Sequence, residues 1–297
     1  MSARNRRTLA AGLVVAALVA TPTIAAAEGS NAKSSKSRGG DASHRDRVDS
    51  LTAIGLAREG TRLVRFDTDD PNKARTVGTV RGLSGDASLV GIDYRVQDAL
   101  LYGVGDAGGI YVLSERNASA KKVGQLTVPL DGAAFGVDFN PAADALRVVS
   151  DTGQNLRHPF AGATAGQTQV DARLTNGTTA ATGSSAAAYT NNDLDAATAT
   201  TLFDIDKVLN QVALQSPANA GTLAATGMLG VDAELDAGFD IYSTLRNGRT
   251  ADVTGFATLG TGTSYALYRI TLLTGEARKL GSFASPVTDI AVQLDQR

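Results

Sequence analysis

The chain has 297 residues, no cysteine, two histidines and a formal net charge of −2. Without cysteine it has no disulfide framework, no thiol nucleophile and no cysteine-containing metal site. Its mild acidity disfavours nucleic acid or an anionic membrane surface as the main partner, because both attract basic surfaces.

Residues 1–27 have the three parts of a secretory signal peptide. A start with three arginines precedes the apolar stretch 9–20, and an Ala-x-Ala cleavage site ends at residue 27. We expect cleavage before Glu28, a secreted, extracellular location and no stable membrane insertion afterwards, since no later stretch reaches about 20 apolar residues. Two adjacent arginines also match a twin-arginine leader, but such pairs are common, so we expect the Sec route.

The next segment, residues 28–49, is rich in Ser, Gly and Lys and has no apolar period, which predicts a disordered linker. Loss of the leader leaves 25 basic and 30 acidic residues, a net charge of −5. That charge favours solubility, and we expect a monomer.

From Leu51 onward, short apolar runs of period two are broken by Gly, Asp, Asn and Pro, which predicts a single all-β domain over 51–297. Low-complexity segments at 175–185 and 193–201 are predicted as loops. The clearest hairpins pair 62–66 with 74–80, 110–113 with 122–126, 211–214 with 222–229, and 265–270 with 277–281.

A repeat defines the architecture. The motif Gly-Ile-Asp-Tyr at 91–94 returns 45 residues later as Gly-Val-Asp-Phe at 136–139. A period of roughly 40–50 residues with short strands in each unit is typical of a β-propeller. Aligned units place the inner strands at 89–94, 135–139, 184–190, 238–243 and 287–293.

The last inner strand has no strands after it, and the first folded segment, 51–80, has outer strands but no inner one. Together they complete one blade, so the ring closes by pairing the N- and C-terminal strands, which removes exposed sheet edges. We predict five blades. The alternatives are six blades or a less regular β-array.

Four aspartates recur at the predicted ends of the inner strands: Asp93, Asp138, Asp240 and Asp289. Inner strands line the central channel of a propeller, so these carboxylates are candidate ligands for Ca²⁺, which favours oxygen donors. The alternative is architectural: each aspartate caps its strand or accepts bonds from nearby backbone N–H groups.

Two polar clusters are further candidates for ligand binding. Tyr189, Asn191 and Asn192 follow the third inner strand, where amide and phenol groups can orient a polar ligand such as a sugar. The alternative is an ordinary Asn-rich turn.

The second cluster, Gln154, Asn155 and Arg157, flanks a predicted hairpin turn at 151–153. Propeller connectivity puts this turn on the face opposite the loop that follows Tyr189, so we expect two separate clusters.

Catalytic signatures are sparse. His158 is the only histidine in the predicted domain, and the sequence has no Gly-x-Ser-x-Gly elbow, phosphate loop or dinucleotide fingerprint. This favours a binding or scaffold propeller whose partner is an extracellular protein, a glycan or a small polar ligand. One alternative is a Ca²⁺-dependent hydrolase or lactonase, in which channel carboxylates hold the ion and the ion polarises a carbonyl. Another is a structural component of the cell envelope.

Several runs resemble an uncharacterised family of secreted bacterial proteins, a domain of unknown function. They are Arg-Val-Val-Ser-Asp-Thr-Gly-Gln-Asn-Leu-Arg at 147–157, Ala-Tyr-Thr-Asn-Asn at 188–192, Pro-Ala-Asn-Ala-Gly-Thr-Leu at 217–223 and Gly-Phe-Asp-Ile at 238–241. The resemblance covers nearly all of 51–293. It implies a propeller-like fold and a secreted protein, and supplies no catalytic residues. The sequence departs from the family pattern at His158-Pro159-Phe160, where a more polar turn is expected.

Overall fold

Twenty-two short strands occupy residues 50–295, the part of the chain that this computed structural model describes. The predicted signal peptide and linker lie outside the described residues. The helical segments in the described part are two single 3-10 turns, at Pro71–Lys73 and Ala218–Ala220. No helix in these residues has the length and apolar content to cross a membrane. The predicted all-β class is therefore confirmed.

The strands form five sheets, here called blades 1 to 5, each given from its inner strand outward. Blade 1 contains β22 (Val287–Val292), β1 (Thr52–Ala57), β2 (Arg62–Asp67) and β3 (Arg75–Thr79). Blade 2 contains β4 (Leu89–Arg95), β5 (Leu100–Gly105), β6 (Gly109–Leu113) and β7 (Ala120–Gln125). Blade 3 contains β8 (Phe135–Asn140), β9 (Ala145–Ser150), β10 (Asn155–Pro159) and β11 (Gln169–Val170).

Blade 4 has six strands: β14 (Ser184–Tyr189), β15 (Leu202–Asp206), β16 (Gln211–Gln215), β17 (Thr222–Met228), β12 (Thr175–Asn176) and β13 (Thr179–Ala180). Blade 5 contains β18 (Ala237–Arg246), β19 (Arg249–Thr261), β20 (Ser264–Ile270) and β21 (Ala277–Ser282). The four predicted hairpins are all present.

The ring closes as predicted. The C-terminal strand β22 pairs antiparallel with β1, with Ala53 opposite Val292 and Gly55 opposite Ile290. The inner strands contact one another in the cyclic order β22, β4, β8, β14, β18. The chain is therefore a five-bladed β-propeller, and pairing of the two chain ends leaves no inner strand without a partner.

Apolar side chains between neighbouring blades form the core. Each of the five blade interfaces has its own cluster of buried residues. The cluster between blades 3 and 4 has eight buried members, three of them alanine, whereas the cluster between blades 4 and 5 has fifteen. Because few apolar side chains are buried between blades 3 and 4, polar side chains can form contacts in that interface.

One predicted loop contains strands. Residues 175–185 lie in a low-complexity segment, yet β12 and β13 pair there, and β12 runs parallel to β17. These short strands cover the outer edge of blade 4, which would otherwise expose unpaired backbone groups. The apolar pattern misses them because neither face of such an edge hairpin needs apolar side chains.

Candidate functional site

The repeated aspartates lie inside the inner strands, so the prediction that they stand at strand ends is wrong. Asp93 is the fifth of seven residues in β4, and Asp138 is the fourth of six in β8. Asp240 and Asp289 likewise have strand residues on both sides. The physical reason is that each carboxylate reaches sideways to a neighbouring blade instead of capping its own strand.

A glycine stands two residues before Asp93, Asp138 and Asp240, and it lets neighbouring inner strands approach closely. A Cβ atom on Gly136 would lie 2.5 Å from the backbone nitrogen of Ala187, and one on Gly238 would lie 2.4 Å from Cα of Asp289. Real Cβ atoms essentially never come within 3.0 Å of such atoms. The motif therefore brings the backbones of adjacent inner strands together around the channel.

Each aspartate carboxylate accepts a hydrogen bond from a backbone N–H of the next blade. The pairs are Asp93 Oδ2 with Phe139 (2.7 Å), Asp138 Oδ1 with Tyr189 (2.9 Å), Asp240 Oδ2 with Val292 (2.5 Å) and Asp289 Oδ2 with Ile92 (2.7 Å). The architectural explanation of the repeat thus has direct support, because the bonds join inner strands that share no ladder.

Blade 4 departs from this pattern. Its inner strand carries Ala188 at the level where the inner strands of blades 2, 3 and 5 carry Asp93, Asp138 and Asp240. The contact to blade 5 comes instead from Asn192, whose backbone N–H donates to Ser243 Oγ (2.9 Å) and whose Nδ2 donates to the Ile241 carbonyl (3.2 Å). An amide in the loop after β14 thus replaces the missing carboxylate.

Three of the four carboxylates converge. Asp93, Asp138 and Asp240 are buried, and one oxygen from each lies within 4.8 Å of one from both others. Asp289 stands outside this trio, level with Gly238 of blade 5 and thus closer to the start of the inner strands. Among residues 50–295, no ion pair involves any of the four.

The electrostatics of this channel are unfavourable for charge. Burial raises the pKa of all four carboxyls, that of Asp240 to about 6, and repulsion between the aspartates raises the pKa of Asp93 and Asp138 further. Backbone N–H donors act in the opposite direction. Buried carboxylates without a basic partner need protons or a cation to balance them, and the trio has the oxygen chemistry that Ca²⁺ prefers.

The polar run 154–157 is bonded within the protein. Gln154 accepts from the backbone N–H of Asp131 (3.0 Å) and donates to the Pro129 carbonyl (2.9 Å). Arg157 forms an ion pair with Asp171. These side chains therefore join the segment 154–157 to the loops beside it.

Arg147 is the buried centre of this region, and the sequence patterns did not single it out as a site residue. Its side chain is 2% exposed, and its guanidinium donates to four groups. The acceptors are Tyr189 Oη (3.2 Å), Asn155 Oδ1 (2.6 Å), Asp171 Oδ2 (2.8 Å) and Asn219 Oδ1 (2.8 Å). Only the odd placement of arginine among the apolar residues of β9 could have indicated it.

Through Arg147, Tyr189 and Asn155 belong to one network between blades 3 and 4, contrary to the expectation of two separate clusters. They meet because both side chains extend from strands into the same interface, while the prediction considered only the loops that follow those strands. Asn191, by contrast, lies in the loop after β14 and donates to the Ala199 carbonyl.

A cavity that the sequence patterns did not indicate lies at the mouth of the channel. It encloses about 280 Å³ and takes lining residues from the first part of all five inner strands. Those residues are Leu89 and Val90 of blade 2, Phe135 of blade 3, Ser185 of blade 4, Ala237 of blade 5 and Thr288 of blade 1. Since the strands come from blades far apart in sequence, only the closed ring assembles this wall.

Polar groups at the mouth are few and distinct. Glu59 and Asp236 are the charged residues of the lining, and Asp236 also forms an ion pair with Lys207 (2.8 Å). The Ser185 side chain is fully buried, and its hydroxyl has no hydrogen-bond partner. A buried hydroxyl without a partner costs free energy, so a ligand atom or a water that reached it would regain a hydrogen bond.

Comparison with known protein families identifies the family of this chain. Residues 62–291 match the domain of unknown function DUF4394. The chain belongs to this family. The DUF4394 match includes all four channel aspartates and most of the mouth lining, from Ser88 to Thr288, but the family's description names no activity and therefore assigns no role to any of these residues.

The solved structures that the chain matches are distant in sequence. One is a structural genomics protein of unknown function from Bacteroides thetaiotaomicron, with 12% identity, coverage of 84% of this chain and 68% of that chain, and a TM-score of 0.45. Another is a protein from Lactobacillus plantarum, with 12% identity, coverage of 82% and 99%, and a TM-score of 0.38. No curated protein matches the sequence of this DUF4394 member.

Proposed function

We propose that this protein is a secreted binding propeller that holds a small polar ligand in the cavity at the mouth of its channel. One observation carries the proposal. The cavity of about 280 Å³ takes a wall residue from every blade, and the wall combines apolar surface with carboxylates and a hydroxyl that lacks a partner. Small-molecule sites are concave, largely apolar and equipped with a few polar groups that fix orientation.

The mouth is favoured over the polar clusters at 154–157 and 189–192. The side chains of Gln154, Asn155 and Arg157 bond to neighbouring strands and loops. Tyr189 is 2% exposed, and Asn192 ties blade 4 to blade 5. Ligand binding at these residues would have to displace bonds that hold the ring together, whereas the mouth is already open.

A blocking substitution tests the site. Ala133 is exposed and lines the cavity, so Ala133→Trp fills the mouth without disturbing the core. The matched control is Ala142→Trp, an exposed alanine in the turn that follows β8 at the other end of the same inner strand. Thermal unfolding of the mature protein against a panel of soluble sugars, amino acids and amines reports ligands that bind the folded state.

We expect at least one compound to raise the melting temperature of the wild type and of Ala142→Trp but not that of Ala133→Trp. A rise that survives in Ala133→Trp would place binding elsewhere. A panel without any stabilising compound would favour a purely structural role in the cell envelope or recognition of a protein or glycan.

A second candidate, a Ca²⁺-dependent hydrolase or lactonase, is favoured by the convergence of Asp93, Asp138 and Asp240 within 4.8 Å. These residues would hold the ion through carboxylate oxygens, and a bound ion supplies the charge that polarises a carbonyl. Asp138 is the sharpest test residue, because one of its oxygens accepts the Tyr189 N–H and an asparagine could still accept that bond.

Thermal unfolding with EDTA and with added Ca²⁺ separates the two roles of the trio. A site saturated a hundredfold above its dissociation constant stabilises the fold by about 2.7 kcal/mol. We expect the Ca²⁺-dependent shift to be lost in Asp138→Asn and kept in Asp204→Asn, a control that removes a fully buried carboxyl of blade 4 outside the trio. Equal melting temperatures with EDTA and Ca²⁺ would leave the aspartates as contacts between blades.

Export is also part of the proposal. It rests on the basic start, apolar stretch and Ala-x-Ala site of residues 1–27. Expression of the full chain in a bacterium should yield exported protein that begins at Glu28, and Val15→Lys should block export by interrupting the apolar stretch. Export that survives replacement of both Arg6 and Arg7 by lysine indicates the Sec route, and exported protein that keeps residues 1–27 would contradict cleavage.

A further inference from the structure

The charge around the mouth cavity has one dominant sign. Both charged residues of its lining, Glu59 and Asp236, are acidic. Lys207 forms an ion pair with Asp236 but is not part of the lining. Deeper along the channel the next carboxyl is that of Asp289, the residue after the lining residue Thr288.

The remaining aspartates lie farther inside. Asp138 is three residues beyond the lining residue Phe135, a distance of about 10 Å along an extended strand. Burial disfavours charge on these inner aspartates, so the negative charge at the mouth comes from Glu59 and Asp236, beside low-dielectric walls that focus their field. A positively charged ligand is attracted into such a cavity, and an anion is repelled.

The apolar part of the wall indicates which kind of cation suits the cavity. Leu89, Val90, Ala134, Phe135 and Ala237 form a large share of the lining. A bare metal ion gains nothing from these side chains, because it needs oxygen ligands on several sides. An organic cation with an aliphatic chain would bury that chain against them, at about 25 cal/mol per Å² of apolar area removed from water.

The buried hydroxyl of Ser185 indicates which charged group the ligand carries. Ser185 belongs to the cavity wall, and its hydroxyl is buried and has no partner within the protein. An ammonium group carries three N–H donors and no acceptor, so it can donate to a hydroxyl and to a carboxylate together. A quaternary ammonium could not make that bond.

We infer that the mouth cavity binds a small primary aliphatic amine as its ammonium ion, with the charged end toward Ser185, Glu59 and Asp236 and the alkyl chain against the wall at Leu89 and Phe135. This inference rests on the proposed binding function and adds the chemical class of its ligand.

Three probes of equal chain length test the charge requirement: butylamine, butanol and butyrate. Each is titrated into isotopically labelled mature protein at neutral pH, and backbone amide shifts of the mouth residues are followed by NMR. We expect butylamine to perturb Ser185, Phe135 and Ala237 and to bind about tenfold more tightly than butanol. Butyrate should not bind.

Matched variants connect the effect to the named residues. Glu59→Gln and Asp236→Asn each remove one negative charge from the lining and should weaken butylamine binding severalfold. Glu276→Gln makes the same change of charge at an exposed turn of blade 5 and should leave binding unchanged. Ser185→Ala should weaken butylamine binding but leave the small effect of butanol on the apolar wall.

The outcomes separate the inference from the proposed function. Equal or tighter binding of butanol or butyrate at the same residues overturns the amine inference and supports the mouth as a site for another ligand class. Butylamine binding that is as strong in Glu59→Gln and Asp236→Asn as in Glu276→Gln also overturns it. If none of the three probes perturbs the mouth at millimolar concentration, the inference fails, and the broader compound panel with Ala133→Trp then decides the proposed function.

Discussion

Replacement of Gly136 by alanine tests how closely the inner strands of the propeller approach one another. The added Cβ would lie 2.5 Å from the nitrogen of Ala187, 2.7 Å from the carbonyl carbon of Ala186 and 2.9 Å from its Cα. Ordinary van der Waals contact begins at 3.4 Å, so β14 would have to move by 0.9 Å relative to β8. All three neighbours are backbone atoms, which cannot change rotamer to make room.

The cost follows from that displacement. Overpacking of a rigid site destabilises by about 1–3 kcal/mol. The movement also stretches the bond from the Tyr189 N–H to Asp138, and bonds to charged groups contribute about 1.5–3 kcal/mol when intact. Against this, replacing glycine by alanine lowers the entropy of the unfolded chain and returns about 0.4–1 kcal/mol. We therefore expect a net loss of about 2–3 kcal/mol.

Urea unfolding followed by circular dichroism measures this loss, because the chain has no tryptophan. In a domain of this size, 1 kcal/mol changes the melting temperature by about 2–4 °C, so we expect a decrease of about 5–10 °C. The control is Gly124→Ala in the outer strand β7, where the nearest atom to a new Cβ is 3.4 Å away. That variant should match the wild type or exceed it by up to about 1 kcal/mol.

An unchanged free energy of unfolding in Gly136→Ala would refute the argument, since it would mean that the two inner strands have room between them. A loss of equal size in Gly124→Ala would also refute it, because the effect would then belong to glycine replacement in any strand. The slope of the unfolding free energy against urea should be unchanged in both variants.

Three further predictions concern polar groups at the blade interfaces. Arg147→Met leaves the buried Asp171 with only its more exposed partner, so urea unfolding should show a loss of about 3–5 kcal/mol, against almost none for the exposed Arg116→Met. Burial raises the pKa of Asp240 from 3.8 to about 6, so the folded state binds this proton more tightly than the unfolded state. Without added cations, this carboxyl should lower stability by about 2 kcal/mol as pH rises from 4 to 7, and Asp240→Asn should reduce that fall; an undiminished fall would exclude this carboxyl as its source. Asn192→Ala removes the side-chain bond from blade 4 to blade 5 and should cost about 1 kcal/mol by urea unfolding, whereas a neutral result would show that the other contacts of that loop suffice.

The channel aspartates connect architecture and function. Their hydrogen bonds to the next blade explain why the motif repeats without reference to any ligand. Yet the same bonds hold carboxyl groups close together in a buried channel, where their charge is costly. A cation at the mouth or among the trio would relieve that cost, so ligand binding and stability of the ring should be coupled.

Local sequence patterns were sufficient for the blades themselves. Period-two apolar runs and turn residues located all four predicted hairpins, the Gly-x-Asp motif located three inner strands, and alignment of the repeat units located the other two. The inner strand predicted at 287–293 and the outer strands predicted in 51–80 together complete one blade, which predicted ring closure. These features depend on contacts between neighbours in sequence or on a repeat, and both are visible in a single chain.

The partners of buried polar groups could be known only from the tertiary structure. Arg147 meets Tyr189 and Asn219, 42 and 72 residues away, and no local pattern predicts such contacts. The mouth cavity likewise needs residues from five strands that the ring brings together. Alternation and turn chemistry act over a few residues and therefore determine the blades, whereas the distances between side chains of different blades depend on how the closed ring packs.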